Sequence, residues 1–240
     1  MSEWFKTWFD SEYYHLLYND RDHTEAEDFI KKIHQYLSPT PDQTMLDLAC
    51  GKGRHSIQLN KMGAQIEGCD YSENSIKYAR QFENDHLHFY THDMRNELPK
   101  SYDYVFNLFT SFGYFKTLNE HQTTLRNIYN GLNKKGLFIF DFMNTEYVLN
   151  HLVDKETIQK ESVQFHIKRK LIDGFITKHI SFEENGNFHQ YKEEVRALHP
   201  DELIDMMKNC GFSVQEKFGN YQLAPFDLQS SKRFILILSK

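Results

Sequence analysis

Cysteine and proline are scarce in this chain: three Cys and five Pro in 240 residues. Cys50, Cys69 and Cys210 are an odd set with no C-x-x-C spacing and no His cluster beside them. That pattern argues against a disulfide framework or a zinc ribbon and fits reduced thiols. No apolar run approaches the roughly 20 residues that a membrane helix needs. The opening segment "MSEWFKTWFDSEYY" carries acids and no continuous apolar stretch, so a secretory signal is not expected and a cytoplasmic location is. Long basic runs are missing too. With 28 basic and 34 acidic residues the net charge is −6, which disfavours a broad nucleic-acid or anionic-membrane surface. The short "HIKRK" at 166–170 reads as a solvated strand face. Neither an internal repeat nor a low-complexity linker is visible.

What the chain does have is rings: 20 Phe, 14 Tyr and 2 Trp. Many suit a core, and the surplus suits a site for a planar ligand. At this length the chain buries enough surface to need no metal or disulfide staple.

The hydrophobic rhythm changes twice. Residues 11–37 read as one or two helices, ended by Pro39 and Pro41. From residue 44, short apolar runs ("TMLDLAC", "QIEGCD", "LHFYTHD", "YDYVFNLF", "GLFIFDFM") alternate with helix-like stretches. That order predicts right-handed βαβ units and a parallel sheet covered on both faces. Beyond about residue 155, strand-like runs are separated by Asp173-Gly174 and Asn185-Gly186, dipeptides that accept positive φ. They predict an inserted antiparallel meander of three strands. "PDELIDMMKNCG" then reads as a helix, followed by two closing strands at 212–218 and 233–240.

The chemistry concentrates at "MLDLACGKGRHS", residues 45–56, an apolar strand, a glycine turn and a helix start. A phosphate loop would need G-x-x-x-x-G-K-[ST], which Gly51-Lys52-Gly53 does not supply. A dinucleotide fingerprint would need a third glycine where Ser56 stands. S-adenosylmethionine fits: a glycine turn admits close backbone approach, helix-start amides suit the ligand carboxylate, and Asp47 can meet its ammonium or brace the loop. Glycines serving tight packing alone are the remaining reading of this stretch.

Three further strand ends bear on the choice. Asp70 closes the second run and can accept both ribose hydroxyls, or it caps the next helix. "HDMR" ends the third, where Asp93 suits an adenine amino group and Met94 its ring face. "NLFTSFGYF" ends the fourth, with Asn107, Phe109 and Thr110 at the same edge. Ligands of open parallel sheets bind outside the strands' carboxyl ends, and four consecutive strands deliver polar residues there.

These stretches resemble the class I S-adenosylmethionine-dependent methyltransferases: "LDLACGKG" as the glycine motif, "GCDYSENSIKYAR" as the ribose motif and "HDMR" as the adenine motif. The resemblance covers residues 42–143. It implies an α/β fold with a Rossmann-like seven-stranded sheet, order 3-2-1-4-5-7-6, the last strand antiparallel, with the meander inserted. It implies donor-binding roles for Asp47, Gly51, Gly53, Asp70, Asp93 and Met94, joined by their neighbours Ala49, Cys50, Arg54, Tyr71, Arg95, Asn107 and Phe109. A narrower likeness, to sugar N,N-dimethyltransferases, rests on Tyr14 and Tyr18 followed by Arg21, on "DMR", and on "FTSFGY". It adds Tyr18 and Arg21 to the donor side. Some of those enzymes carry a catalytic His where this chain has Tyr114.

The resulting expectations are these. Residues 1–41 form a helical lid, 42–154 and 199–240 the donor-binding core, and 155–198 an acceptor-side cap or dimer face. The chain transfers a methyl group from S-adenosyl-L-methionine, leaving S-adenosyl-L-homocysteine, to a nitrogen or oxygen of a small molecule. Tyr114 and Tyr14 are the catalytic candidates, with Tyr191 and His199 further acceptor-side ones. His15 and His121 are expected on helix surfaces. His86, His88 and His92 are expected on a strand face without metal. The chain is a monomer or homodimer. An NAD-dependent oxidoreductase and a non-catalytic nucleoside-binding protein are the alternatives.

Overall fold

The computed structural model describes residues 4–18 and 23–240. Its centre is a seven-stranded sheet of β1 (Thr44–Leu48), β2 (Gln65–Asp70), β3 (Leu87–Thr91), β4 (Tyr102–Asn107), β5 (Leu132–Met143), β10 (Ser213–Phe218) and β11 (Arg233–Ser239). The order is β10-β11-β5-β4-β1-β2-β3. The strands β1 to β5 run parallel, and β11 is antiparallel to both β5 and β10. Numbering only the strands of this sheet gives 3-2-1-4-5-7-6, the expected order. The chain leaves β1 toward β2 on one side, and β4 flanks it on the other. The carboxyl ends of β1 and β4 are therefore the switch point at which such sheets open a crevice.

Alternation along the strands loads both faces. Phe138, Phe140 and Phe142 of β5 and Phe234, Leu236 and Leu238 of β11 point to one side. There they meet Leu125 and Ile128 of α6 (Leu118–Asn130) and Leu203 and Met207 of α8 (Pro200–Lys208). Ile139, Ile235 and Ile237 point to the other side, where α3 (His23–Leu37) and α4 (Arg54–Lys61) contribute Phe29, Ile30, Ile33 and Leu59. The helix ends follow local chemistry. Thr117 and Glu120 form a reciprocal capping box on α6, and Pro200 opens α8 at a position where its missing N–H is no loss.

The insertion is a second sheet of four antiparallel strands, not three: β6 (Lys155–Lys160), β7 (Val163–Ile172), β8 (Phe175–Glu184) and β9 (Asn187–Arg196). Its extra hairpin turns at Glu161-Ser162, where Glu161 takes φ 48° without a glycine or asparagine to announce it. Lys168 and Lys170 of the "HIKRK" stretch are exposed on β7, on the polar face.

The first 41 residues divide. Helices α1 (Trp4–Trp8) and α2 (Glu12–Leu17) pack with the apolar face of the meander, Trp8 and Leu17 against Val163, Phe165, Ile167, Ile180 and Phe182. Helix α3 belongs to the core of the large sheet. No helix among the described residues is long and apolar enough to cross a membrane.

Candidate functional site

The glycine turn after β1 alternates handedness, with Ala49, Gly51 and Gly53 at φ 65°, 55° and 80°. The two glycines do different work. A Cβ on Gly53 would lie 2.6 Å from the Phe89 ring, so that glycine lets α4 start tight against β3. A Cβ on Gly51 would meet nothing within 4 Å; its side faces open space. Asp47 is 1% exposed and accepts a bond from Ser56 Oγ at 2.7 Å. Burial lifts its pKa to about 6, with the Ser56 bond and the Arg54 charge opposing and the Asp70 charge adding. The same Ser56 replaces the third glycine of a dinucleotide fingerprint, and its hydroxyl is committed to Asp47. Burial also pushes the Cys50 thiol well up, keeping it protonated.

Asp70 ties this turn to the next. Its Oδ2 accepts from the Gly51 N–H and its Oδ1 from the Ser72 N–H, both at 2.8 Å. Burial raises its proton affinity despite these backbone donors. Tyr71 beside it is 39% exposed.

At the end of β3, Asp93 is gripped by Arg95. Nε reaches Oδ1 at 3.0 Å, Nη2 reaches Oδ2 at 2.6 Å, and the Arg95 N–H adds a bond of 3.0 Å. Burial works against the Asp93 carboxylate, but these bonds outweigh it and hold its pKa below the usual value. Arg95 also pairs with Glu120 at 3.2 Å and lies over the Phe115 ring at 5.1 Å, so the loop is fixed to the start of α6. Met94 is partly buried against the α6–α8 core.

After β4 the chain makes a strained bend: Phe109 and Thr110, neither a glycine, follow each other at φ 57° and 62°. Such conformations persist only when the surroundings over-determine them. Asp141 of β5, 0% exposed, does so. It accepts from the Phe109 N–H at 2.7 Å, from the Arg233 Nε at 2.8 Å and from the Tyr221 hydroxyl at 3.2 Å. Arg233 reaches on to Thr110 Oγ1 at 3.0 Å. Burial raises the Asp141 pKa, and the Arg233 charge opposes that rise. The bend swings Phe109 against the start of α4, stacked on His55 at 4.8 Å with the Arg54 guanidinium 4.6 Å from its centre. Asn107, 1% exposed, donates to the Leu48 carbonyl at 3.0 Å and leaves its buried Oδ1 without a partner.

Rings from the N-terminal helices face this edge. Tyr114 donates to the Thr110 carbonyl and packs edge-on against Trp4 and Phe9, at 5.5 and 5.3 Å. Tyr14 stands 5.0 Å from Phe9 and from Tyr18. Phe5 meets Tyr71 at 6.1 Å and Phe115 at 6.5 Å. Tyr18 turns to the meander: its hydroxyl donates to Glu193 at 2.6 Å and accepts from Lys178. Trp8 Nε1 donates to the same Glu193 oxygen at 2.6 Å. Tyr191 packs on Trp8 at 4.5 Å, and His199 caps α8. Arg21 lies outside the described residues.

His121 differs from its expected surface position. It is 0% exposed, held between Phe112 and Phe115 with Nδ1 at 2.8 Å from the Thr117 carbonyl. Its helix turns that face under the loop that carries Tyr114. His15 is half-buried, and burial followed by the Lys52 charge lowers its pKa to about 4. Among the described residues no three His, Cys, Asp or Glu side chains gather as a metal set. A shallow cavity of about 180 Å³ beside Thr44, Gln65 and Glu67 opens at the amino ends of the strands, opposite these residues.

Asp141, Arg233 and Tyr221 were not anticipated as site residues. The signal was present for Asp141, a charge inside the apolar "GLFIFDFM", the same signature as Asp47 in "MLDLAC". Arg233 and Tyr221 come from distant segments and carry no local mark.

A parallel sheet with acids at the ends of β1 and β2 and just past β3, beside an open glycine turn, belongs to the nucleoside-binding α/β class. A family of proteins described as "Methyltransferase domain" matches residues 39–197. The Bacillus subtilis protein YqeM, assigned as a methyltransferase, is 25% identical over 201 residues, 79% of this chain and 81% of its own. An S-adenosylmethionine-dependent methyltransferase from Clostridium acetobutylicum superposes with TM-score 0.80 at 19% identity, covering 95% of each chain. The amino pentose methyltransferase CalS10 from Micromonospora echinaspora, solved with S-adenosylmethionine bound, gives 0.69 at 16% identity, covering 95% of this chain and 97% of its own. The chain belongs to the methyltransferase-domain family and is a methyltransferase, with the fold of S-adenosylmethionine-dependent methyltransferases.

Proposed function

We propose that the carboxyl edge of β1–β4 holds S-adenosylmethionine and presents its methyl group to a nitrogen or oxygen of a small molecule beneath the aromatic roof. The observation that carries this reading is the set of Asp47 in β1, Asp70 at the end of the adjacent β2 and Asp93 just past the next strand, β3, with Gly51 facing open space beside them. Asp47 is assigned to the ligand ammonium, Asp70 to the ribose hydroxyls, and Asp93 with Met94 to the adenine. Ala49, Cys50, Gly53 and Arg54 shape the turn around it; Tyr71, Arg95, Asn107 and Phe109 complete the wall.

When bound, the sulfonium supplies an activated methyl carbon. The task left to the protein is to align the acceptor lone pair behind that carbon, an orientation effect of roughly 7–11 kcal/mol in favourable cases. Tyr114, fixed through its hydroxyl to Thr110, and Tyr14 are proposed to touch the acceptor. The rings of Trp4, Phe5 and Phe9 exclude water from it. The likeness to an amino pentose methyltransferase supports an amino sugar or similar amine as acceptor. Incubation with labelled donor and a panel of small amines and alcohols tests the reading. Label transfer to one of those classes is expected; transfer to RNA or protein alone overturns the small-molecule acceptor.

Asp47 gives the reaction a pH signature. Its folded pKa of about 6 lies above the ordinary 3.8. The stabilisation that the protonated form brings is therefore complete below pH 3.8 and lost as pH rises through 6. The carboxylate that meets an ammonium prevails only above that value. Donor affinity should rise about tenfold between pH 5 and pH 7, as the ionised fraction goes from about a tenth to nine tenths. Titration calorimetry of the native chain and Asp47→Asn at both pH values checks this; an equal rise in the variant assigns it to another group.

A further inference from the structure

Asp10, in the link between α1 and α2, reaches across to the large sheet. One carboxylate oxygen accepts from Ser72 Oγ and the other from Asn74 Nδ2, each at 2.6 Å. Ser72 is also the residue whose N–H binds Asp70, and Asp70 in turn binds the Gly51 N–H. An unbroken hydrogen-bonded chain thus runs from the glycine turn through Asp70 and Ser72 to the N-terminal helices. Both partners of Asp10 lie within four residues of the carboxylate assigned to the ribose.

The segment bearing Asp10 is otherwise anchored away from this edge. Trp8 and Tyr18 bond Glu193 of β9, and Leu17 lies in the apolar cluster of the meander. Toward the large sheet the same segment offers ring contacts, Phe5 on Tyr71 and Trp4 and Phe9 on Tyr114. Ring packing tolerates sliding; two bonds to a charged acceptor fix direction and register. The pair also brings a second carboxylate toward Asp70, and its charge adds to the rise in Asp70 proton affinity. Two acids held this close favour a ligand with net positive charge over the edge.

From this geometry we infer that Asp10 is a positioning residue for the methyl donor, a latch that fastens α1 and α2 over the ribose edge through Ser72 and Asn74. The inference rests on the reading of this edge as the donor site. With the latch made, a bound nucleoside leaves only after Asp10 lets go, so Asp10 governs release more than capture.

Both tryptophans of the chain, Trp4 and Trp8, lie in α1, so intrinsic fluorescence reports these helices directly. In stopped-flow displacement of S-adenosylhomocysteine, Asp10→Ala should release the nucleoside about tenfold faster, the loss of one or two bonds to a charged group. Capture should change less. Asn74→Ala, which leaves the Ser72 cap of α5 (Glu73–Ala79) intact, should speed release in the same direction, and the double variant should add little to Asp10→Ala. The donor KM should rise while kcat at saturating donor falls less, a split that general loosening of the fold does not give. Equal release rates in the native chain and Asp10→Ala overturn the latch alone. Failure of the native chain to bind the nucleoside at all overturns the donor-site reading instead.

Discussion

Asp141→Ala is expected to destabilise the protein by about 3–5 kcal/mol, the cost of breaking a buried ion pair by removing one of its members. Arg233, largely buried, would lose the carboxylate that its Nε and Nη2 bond, while its guanidinium stays beside Tyr221 and Thr110. The Phe109 N–H would lose its acceptor as well. The double variant Asp141→Ala/Arg233→Leu removes both charges and should be markedly less destabilised than the single one, because a buried pair replaced whole by apolar groups is nearly neutral. Urea unfolding of the three chains reads this out. A second consequence is local: without the Asp141 carboxylate the Phe109 N–H loses the acceptor that holds it at positive φ, so the bend loosens and Phe109 shifts from His55. Donor affinity should then fall even at temperatures where Asp141→Ala remains folded. A loss of less than 1 kcal/mol would mean that the bend is held by other contacts.

The two glycines of the turn should respond in opposite ways. Gly53→Ala combines a left-handed φ of 80° with a Cβ 2.6 Å from Phe89. Roughly 1–2 kcal/mol for the conformation and 1–3 for overpacking make about 2–5 kcal/mol of lost stability. Phe89 has little room to retreat, since a Cβ on Gly68 would lie 2.6 Å from the same ring. Gly51→Ala shares the positive φ, 55°, and should lose about 1 kcal/mol. Its methyl group enters open space in the apoprotein, so its main effect should be on the donor: a Kd raised at least about tenfold, or 1.4 kcal/mol. Thermal unfolding paired with nucleoside titration separates the two. Equal stability losses with equal affinities would refute the division of labour between Gly51 and Gly53.

The parts of this architecture that could be read from sequence are those with local causes. Strands buried on both faces must be apolar throughout, so a charge inside one, as with Asp47, stands out, and the Asp-Gly and Asn-Gly turns of the meander advertise their φ. What escaped has causes elsewhere in the chain. Glu161 turns a hairpin because flanking strands pair, not because glutamate favours φ 48°. Asp10 is an ordinary acid until the fold brings Ser72 and Asn74 to it across 62 and 64 residues. Glu193 alternates unremarkably in β9 until Trp8, Tyr18 and Lys178 converge on it. His121 sits at a helical position that only the wrap of the loop from Phe112 to Thr117 makes interior. Asp141 is the intermediate case, visible as a charge in an apolar strand but without a purpose until Arg233 arrives from β11.

If the ends of β1–β3 hold the nucleoside of the methyl donor, Asp70 stands on its ribose. Titration calorimetry of the native chain and Asp70→Ala with S-adenosylmethionine and S-adenosylhomocysteine tests it most directly. Both ligands should bind the native chain near micromolar Kd, about −8 kcal/mol, and Asp70→Ala, which loses the charge-assisted ribose bonds, should bind them at least about tenfold more weakly. A folded native chain that binds neither ligand, or an Asp70→Ala chain that binds both as well as the native one, would contradict that placement.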